Sequence, residues 1–303
     1  MLKKTQCLSS EKGKPELYEK VEVIRELRQK YPLMALLRCA GIPRSTYYYY
    51  EKKKAQDKHR DLKKHITRIF NENKGRYGYR RITIQLRNEG VTANHKLVLK
   101  LMNELGLHCK VKRKKYKSYK GDIGKAADNV LNRMFKADRP GEKWTTDVSE
   151  FSITAGKLYL SPILDMFNGE IVSYHIGKSP NFRQTMVMLQ DALNTNLNIT
   201  GLIMHSDQGW QYRQNEYQNI LKKAGIIQSM SRKGNCLDNS VMENFFGLMK
   251  SEMFYGEESR FKSLDELELA MRDYIEYYNN ERIKLRLRTS PVKYREEFQK
   301  NGA

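Results

Sequence analysis

Three acidic residues in the second half of the chain lie where they could support metal-dependent chemistry. Asp147 is in WTTDVSEF, Asp207 in HSDQGWQY and Glu243 in NSVMENFF. The two aspartates sit in apolar, β-branched strand-like segments, where burying a carboxylate is costly unless a cation or hydrogen bonds compensate it. Three hard oxygen ligands with open coordination suit Mg²⁺ or Mn²⁺, and such ions support phosphoryl transfer. The acids therefore indicate a site that could act on phosphodiesters.

Each acid also has an ordinary structural interpretation. Asp147 could belong to a strand-end turn, and Asp207 could form an Asx turn before Gly209. Glu243 could lie on the solvent face of a helix. Each of these readings is favoured for one acid alone, and only the combination points to a site.

The elements around the acids predict an α/β fold with a mixed sheet and helices on both faces. A three-strand meander followed by alternating helices and strands is the order of a ribonuclease H-like domain. There the first strand is central and the fourth lies beside it, so Asp147 and Asp207 converge on one edge and a crossing helix brings Glu243. Strands are predicted over 143–154, 157–167, 170–177, 201–208 and 226–231, and helices over 182–193, 214–223, from about 237, and over 263–281.

The net positive charge of the chain comes from its first half. Residues 1–140 contain 36 Lys and Arg against 14 Asp and Glu, whereas residues 141–303 contain 20 against 21. Because affinity for nucleic acid comes largely from neutralising phosphates, this asymmetry predicts that the front half binds a polyanion. A solvated basic surface kept for solubility is the weaker explanation over so long a stretch.

Small all-α helix-turn-helix units are predicted in this basic half, ahead of the catalytic core. The first has a helix over 21–37 and a turn at Gly41 and Pro43. The second has a helix over 80–88, where Ile82, Ile84 and Leu86 also alternate as in a strand, and a final helix over 94–107. The predicted organisation is a flexible lead over 1–18, helix-turn-helix-like units over 19–55 and 56–110, a basic linker over 111–138, and the catalytic core over 139–298.

The helix over 94–107 has the pattern of a recognition helix, with an apolar stripe and a polar opposite face that could enter a major groove. The alternative is a packing helix whose lysines face water. The linker contains seven basic residues and two tyrosines between Lys110 and Lys120, which could clamp a phosphate backbone. The candidate DNA contacts are Arg80, Arg81, Lys96, Lys100, Asn103, Lys114 and Lys115.

Cysteine spacing and hydropathy exclude several classes of protein. The four cysteines are scattered without a CxxC pair, so neither a disulfide scaffold nor a zinc module is indicated. No apolar run approaches the ~18 residues of a membrane-spanning helix, and the start does not look like an export signal. We therefore expect a cytoplasmic protein with no membrane partner.

The motifs around the acids resemble those of a known family. HSDQGWQY, SMSRKGNCLDNS and ENFFGLMKSE, with 35 residues between Asp207 and Glu243, resemble the D,D(35)E signature of transposases of insertion-sequence-3-type elements. These belong to the superfamily of retroviral integrases. IPRSTYY and GRYGYRRIT also match the start of the catalytic reading frame, closest to the group typified by insertion sequence 150. The resemblance covers nearly the whole chain.

This resemblance implies a DNA transposase in which Asp147, Asp207 and Glu243 form the catalytic triad and bind Mg²⁺, with Mn²⁺ as an alternative. It implies that Lys250, seven residues after Glu243, contacts the DNA end. Family positions in the loop before the glutamate helix and beside the second acid are also matched. These are Gly234, Asn235, Asn239, His205 and Gln208, and Asp238 is expected to cap the glutamate helix.

The implied partners are DNA, as terminal inverted repeats and target, and further copies of the chain in a homo-oligomer on DNA. A helix-turn-helix protein from an upstream frame would be fused to the chain or assist it. The implied location is the bacterial cytoplasm, at the nucleoid. Two other functions remain open: a DNA-binding regulator of the element without catalysis, and a ribonuclease H-like nuclease or resolvase that cleaves without joining.

Overall fold

The computed structural model describes residues 17–55, 58–109, 127–194, 199–232 and 236–301. The chain divides into two compact units, residues 1–65 and 66–303. The lead predicted over 1–18 lies outside the described residues as far as residue 16, and Leu17 already begins the first helix.

The described residues of the first unit include α1 (Leu17–Leu27), α2 (Leu33–Ala40) and α3 (Arg44–Ala55). The single helix predicted over 21–37 is wrong, because the residue before a proline disfavours helical backbone and Pro32 instead immediately precedes α2. Gly41 ends α2 in the left-handed conformation, with φ of 65°. The buried core of these helices is Val21, Ile24, Leu36, Leu37, Ile42 and Tyr47.

Three further helices follow: α4 (Arg60–Glu72), α5 (Tyr79–Asn88) and α6 (His95–Glu104). The helix predicted over 80–88 is confirmed as α5. The division between the two compact units falls between residues 65 and 66, inside α4. The boundary between residues 55 and 56 stays a prediction. The buried faces of these helices are apolar, with Ile66, Ile69, Ile82, Leu86, Val98, Leu101 and Met102.

The sheet contains β1 (Lys143–Thr146), β2 (Ser149–Ile153), β3 (Gly156–Asp165), β4 (Ile171–Gly177), β5 (Ile203–Ser206) and β6 (Ile227–Met230). Both β1 and β2 pair antiparallel with one edge of β3, and β4 pairs with the other edge. On the far side, β1 is parallel to β5 and β5 is parallel to β6. This is the predicted ribonuclease H-like mixed sheet.

The strand predicted over 143–154 is interrupted and forms β1 and β2. The break lies at Asp147 and Val148, where the Val148 N–H donates to Asp147 Oδ1 at 2.8 Å. An aspartate that binds a neighbouring backbone N–H competes with strand pairing. Asp147 therefore lies just past the end of β1 and not within a strand.

Helices cover both faces of the sheet. On one face, α7 (Phe182–Leu193) and α8 (Asn215–Lys223) pack in a cluster with Trp144 and Met204. On the other face, α9 (Ser240–Met249) contacts β1, and α10 (Leu264–Asn280) contacts β3 and β4. One π-helical turn, Lys250–Phe254, extends α9, and α11 (Pro291–Asn301) follows α10. Across the described ranges no helix is both long and apolar enough to cross a membrane.

Residues 127–138, predicted as the end of the linker, pack on the sheet at β6. Leu131 is buried and its N–H donates to Ser229 Oγ at 3.0 Å. The Ala127 N–H donates to the sulfur of Met230 at 3.3 Å. These residues therefore contact β6, and the boundary at residue 139 stays a prediction. The rest of the predicted linker, 111–126, lies outside the described residues.

Candidate active site and nucleic-acid interface

The two aspartates lie at equivalent ends of adjacent parallel strands. Thr145 of β1 pairs with His205 of β5, so Asp147 and Asp207 each lie two residues past a paired position. Neighbouring strands in a sheet are ~4.8 Å apart, which brings the two backbones close together at this edge. The predicted convergence of Asp147 and Asp207 is therefore seen in the strand register.

Both carboxylates also bind local backbone. The Gly209 N–H donates to Asp207 Oδ1 at 2.9 Å, as the Val148 N–H does to Asp147. The Asx turn expected for Asp207 as an ordinary interpretation is thus present. It fixes one carboxylate oxygen of Asp207 and is compatible with the other oxygen binding a ligand.

The electrostatics of the pair are unfavourable for two anions. Burial raises the pKa of the Asp147 carboxyl well above its usual range, and the charges of Asp207 and Glu243 raise it further. Burial also raises the pKa of Asp207, while the Gly209 N–H and Arg213 oppose the shift. Within the described ranges neither carboxylate has an ion-pair partner. A bound cation would offset this repulsion.

Glu243 lies in the first turn of α9 and is half-buried. A hydrogen-bonded tether holds the start of this helix against β1. The Thr145 hydroxyl donates to Asn239 Oδ1 at 2.6 Å, and Asn239 Nδ2 donates to the Thr146 carbonyl at 3.4 Å. Since Thr146 directly precedes Asp147, the tether fixes the Glu243 helix beside the first aspartate.

The cap expected from Asp238 is wrong. Asn239 is the residue at the helix start, and no side chain caps it. The buried Asp238 carboxylate instead binds Arg232 Nε at 2.9 Å and Arg133 Nε at 2.8 Å. These guanidinium groups hold the pKa of Asp238 far below its usual range, so the carboxylate remains charged. Asp238 thus joins the segment around Arg133 to the turn that leads into α9.

The donor set suits a hard divalent cation. Among the described residues no three His, Cys, Asp or Glu side chains already form a metal cage. Mg²⁺ does not require one, because it usually keeps several waters and takes one or two carboxylates together with substrate phosphates. The half-buried and mutually repelling carboxylates of Asp147 and Asp207 fit that requirement. Glu243 is close enough for its charge to raise the pKa of Asp147.

Lys250 lies at the junction of α9 and the π-helical turn. It is half-buried, with its ammonium 4.9 Å from the centroid of the Phe151 ring. Burial lowers the pKa of Lys250, and the charges of Glu150 and Asp147 oppose that change. Lys250 thus lies within electrostatic range of the same aspartate as Glu243.

His205 has the environment of a structural histidine. It is fully buried, with Nδ1 2.9 Å from Ser229 Oγ and Nε2 3.1 Å from Ser231 Oγ. Burial lowers its pKa to about 4, so the ring is neutral at physiological pH. Both ring nitrogens are occupied, which argues against a general-base role. Gln208 donates to the Ser231 carbonyl at 3.1 Å, while Gly234 and Asn235 lie outside the described residues.

The face of α6 predicted to contact DNA is exposed. Lys96, Lys100 and Asn103 all face solvent, while the opposite stripe is buried. The Lys100 ammonium is 3.9 Å from Glu104, a distance at which an exposed pair contributes little. Arg80 is also exposed and stacks over the ring of the neighbouring Tyr79 at 5.6 Å.

Arg81, also predicted to contact DNA, is instead engaged within the protein. It is half-buried, and its Nε donates to the Ile283 carbonyl at 2.9 Å. Burial, followed by the charge of Arg282, lowers its pKa. The predicted contacts Lys114 and Lys115 lie outside the described residues.

Sequence reasoning did not single out the exposed face of α3. Tyr47 is in the core of the first unit, whereas Tyr48 and Tyr49 are exposed by 42% and 61%. The Arg44 guanidinium stacks over the Tyr48 ring at 5.5 Å. The acid on this helix, Glu51, is paired with Arg25 of α1, which leaves a basic and aromatic outer face.

Three family models match this chain. The model of an HTH-like domain covers residues 56–115. Two models of an integrase core domain cover residues 137–236 and 243–298. Asp147 and Asp207 fall within the first core match, and Glu243 is the first residue of the second.

The chain is similar to proteins named as transposases. It is 52% identical over 279 residues to InsK of insertion sequence element IS150 from Escherichia coli K12, covering 91% of this chain and 98% of that protein. It is 53% identical over 215 residues to a transposase-like protein of Haemophilus influenzae, covering 71% and 98%. A more distant likeness, at 16% identity and a TM-score of 0.47, is to a chain of the simian T-cell lymphotropic virus intasome and covers 67% of each chain.

Proposed function

Because the chain belongs to the insertion-sequence transposases of the IS3 type, which are polynucleotidyl transferases, we propose that it cleaves and joins DNA at the ends of its element with Asp147, Asp207 and Glu243 as catalytic residues. The observation that carries the proposal is the pair of mutually repelling carboxylates at the ends of β1 and β5, with the Glu243 helix tied to the same strand.

The three carboxylates would hold Mg²⁺, or Mn²⁺ in its place. When bound, the ions would stabilise the negative charge that develops on the attacking and leaving oxygens. The protein would contribute position: the backbone hydrogen bonds of Asp147 and Asp207 orient their carboxylates, and the Asn239 tether orients the helix of Glu243. Fixing the reacting groups in this way supplies a large part of the rate.

The reaction would have two displacements at phosphorus. In the first, the oxygen of water attacks the phosphodiester at the element end, and the 3′ oxygen leaves as a hydroxyl. In the second, that 3′ hydroxyl attacks another phosphodiester, first on the same element and later on target DNA, and the displaced strand leaves. Lys250 would contact the phosphates of the DNA end beside Asp147.

The basic half would hold the terminal inverted repeats. Lys96, Lys100 and Asn103 on α6 would enter a major groove, since the second helix of such a motif carries the base contacts. Arg80 would bind the adjacent backbone. The outer face of α3, with Arg44 and Tyr48, would provide a further contact. Lys114 and Lys115 remain predicted phosphate contacts. Arg81 is omitted because of its bond to Ile283.

The assembly would be larger than one chain. We expect a homo-oligomer on DNA and fusion to, or help from, a helix-turn-helix protein of an upstream frame. Light scattering of the protein with and without terminal-repeat DNA measures the oligomeric state. Co-expression with the upstream frame tests whether its product assists this chain.

A strand-transfer assay on labelled terminal repeats with Mg²⁺ tests the function. The parent is expected to yield joined product and Asp207→Asn none. Asp191→Asn, which removes an exposed acid from α7, is the matched control and should behave as the parent. Hydrolysis without joining would indicate a nuclease or resolvase. Metal-independent binding without nicking would indicate a regulator, and equal joining by parent and Asp207→Asn would refute the catalytic assignment.

A further inference from the structure

Three residues of the motif GRYGYRR, residues 75–81, contact the catalytic core: Arg76, Tyr77 and Arg81. Tyr77 is fully buried: its hydroxyl accepts from the Ile283 N–H at 2.8 Å and donates to the Glu281 carbonyl at 3.2 Å. Arg81 donates to the carbonyl of the same Ile283. The loop and helix that precede α6 are thus fastened to the segment that follows α10.

A second layer of contacts reinforces this attachment. The Arg76 guanidinium lies over the rings of Tyr274 and Tyr277 of α10, at 5.4 and 4.6 Å. The Tyr277 hydroxyl donates to Asn73 Oδ1 at 3.3 Å. Asn73, just before the motif, and Arg76 within it therefore both contact α10, and these contacts support a fixed geometry.

Arg282 continues the network into the active-site helix. It lies between Glu281 and Ile283, is 2% exposed, and binds Glu252 with its Nε at 2.9 Å and its Nη2 at 2.6 Å. The Tyr274 hydroxyl donates to the same carboxylate at 3.0 Å. Glu252 lies in the π-helical turn two residues after Lys250. Single π-helical turns within helices occur frequently at functional sites.

We propose that Tyr77, Arg282 and Glu252 form a cluster that fixes the helix carrying Glu243 and Lys250 relative to α6, so that DNA bound to α6 sets the position of that helix. This inference rests on the proposed function, because it takes α6 as the DNA-binding element. Tyr77 lies in the loop before α5, the helix that precedes α6, and Glu252 is in the turn that continues α9. When DNA fixes α6, the buried charge pair and the Tyr77 hydrogen bonds hold Lys250 and Glu243 at a set distance from it. The three residues are positioning residues.

Tyr77→Phe is the sharpest test, since it removes only the hydroxyl that binds Ile283 and Glu281. Tyr217→Phe is a matched control, because the Tyr217 hydroxyl is buried in the core and has no hydrogen-bond partner among the described residues. Hydrogen exchange of the full chain is measured with and without terminal-repeat DNA. In the parent and in Tyr217→Phe, DNA should protect the amides of 250–254. In Tyr77→Phe, DNA should bind with unchanged Kd but give no such protection.

Strand transfer at saturating DNA gives the second readout. Tyr77→Phe should lower kcat by about tenfold with Kd for DNA unchanged, since a small misplacement of catalytic groups has effects of this size. Glu252→Gln, which keeps the shape and removes the charge, should do the same. Unchanged protection and kcat in Tyr77→Phe, or a loss confined to melting temperature or DNA affinity, would overturn the inference. If the parent itself joins no DNA, the proposed function fails, while the exchange measurement still decides the coupling.

Discussion

Asn239 and Thr145, 94 positions apart in sequence, are joined by a hydrogen bond of 2.6 Å from the Thr145 hydroxyl to Asn239 Oδ1. The bond links the residue before α9 to the strand that ends at Asp147. It is buried, so its loss would leave a polar group without a partner.

Asn239→Ala should therefore weaken both fold and activity. Loss of a buried partner costs about 1 to 3 kcal/mol in the free energy of unfolding. Strand transfer should fall by about 10 to 100-fold, because the Glu243 helix loses its tether. Urea unfolding and the joining assay measure the two effects. Thr145→Val combined with Asn239→Ala should cost less stability than the sum of the two single changes, and additive costs would show that the two residues are not coupled.

Because burial and mutual repulsion act on Asp147 and Asp207, the stability of the metal-free protein should depend on pH. The folded-state pKa values of Asp147 and Asp207 lie above those of the unfolded chain. Between the unfolded and the folded pKa of each aspartate, the folded protein binds more protons than the unfolded chain. Stability therefore falls as pH rises through that range. The destabilisation is fully present above the folded pKa values and absent below about pH 4, where both states are protonated.

Mg²⁺ should reverse that destabilisation. At 100 times its Kd the ion adds about 2.7 kcal/mol, which corresponds to a rise in melting temperature of about 5 to 10 °C at pH 7. The rise should shrink at pH 5. It should vanish in Asp147→Asn and persist in Asp165→Asn, whose buried carboxylate is held by Trp144 Nε1 and the Gly141 N–H. A persistent rise in Asp147→Asn would place the ion elsewhere.

His205 should titrate far below an ordinary histidine. Its folded pKa of about 4 lies below the unfolded value of 6.5, so its neutral burial stabilises the fold fully above about pH 6.5. That contribution is lost as pH falls from about 6.5 to about 4. NMR titration of the ring should show no change between pH 6 and 8. The pH profile of strand transfer in His205→Asn should keep its shape, whereas loss of one inflection would indicate a catalytic histidine.

The salt dependence of DNA binding tests the role of α6. If Lys96 and Lys100 each neutralise one phosphate, each change to Ala should reduce the slope of log K against log salt by about 1. Lys223→Ala, an exposed lysine of α8, serves as control and should leave the slope unchanged. Asn103→Ala should change preference among repeat sequences more than overall affinity. Equal slopes for all lysine variants would place the phosphate contacts on another surface.

Local patterns were enough to predict the sheet, the recognition-like helix and the family. Alternation of apolar residues marked the strands, and the acids came with their flanking residues. What escaped prediction depends on contacts between distant residues. Asp238 is fixed by Arg133, 105 positions away, and Tyr77 by Ile283, 206 positions away. Nothing near either residue in sequence signals these partners. The break in the first strand was also missed, because Asp147 and Val148 continue its pattern and only the Asp147 side chain interrupts the pairing.

The central claim is that Asp147, Asp207 and Glu243 act as one unit, and strand transfer by single and combined variants tests it most directly. Residues that act together in catalysis are strongly non-additive. Asp147→Asn, Asp207→Asn and Glu243→Gln should each reduce joining to the level of the triple variant, with DNA affinity retained. Substantial joining by any single variant would contradict the account. So would single-variant losses of joining whose product equals the loss in the triple variant.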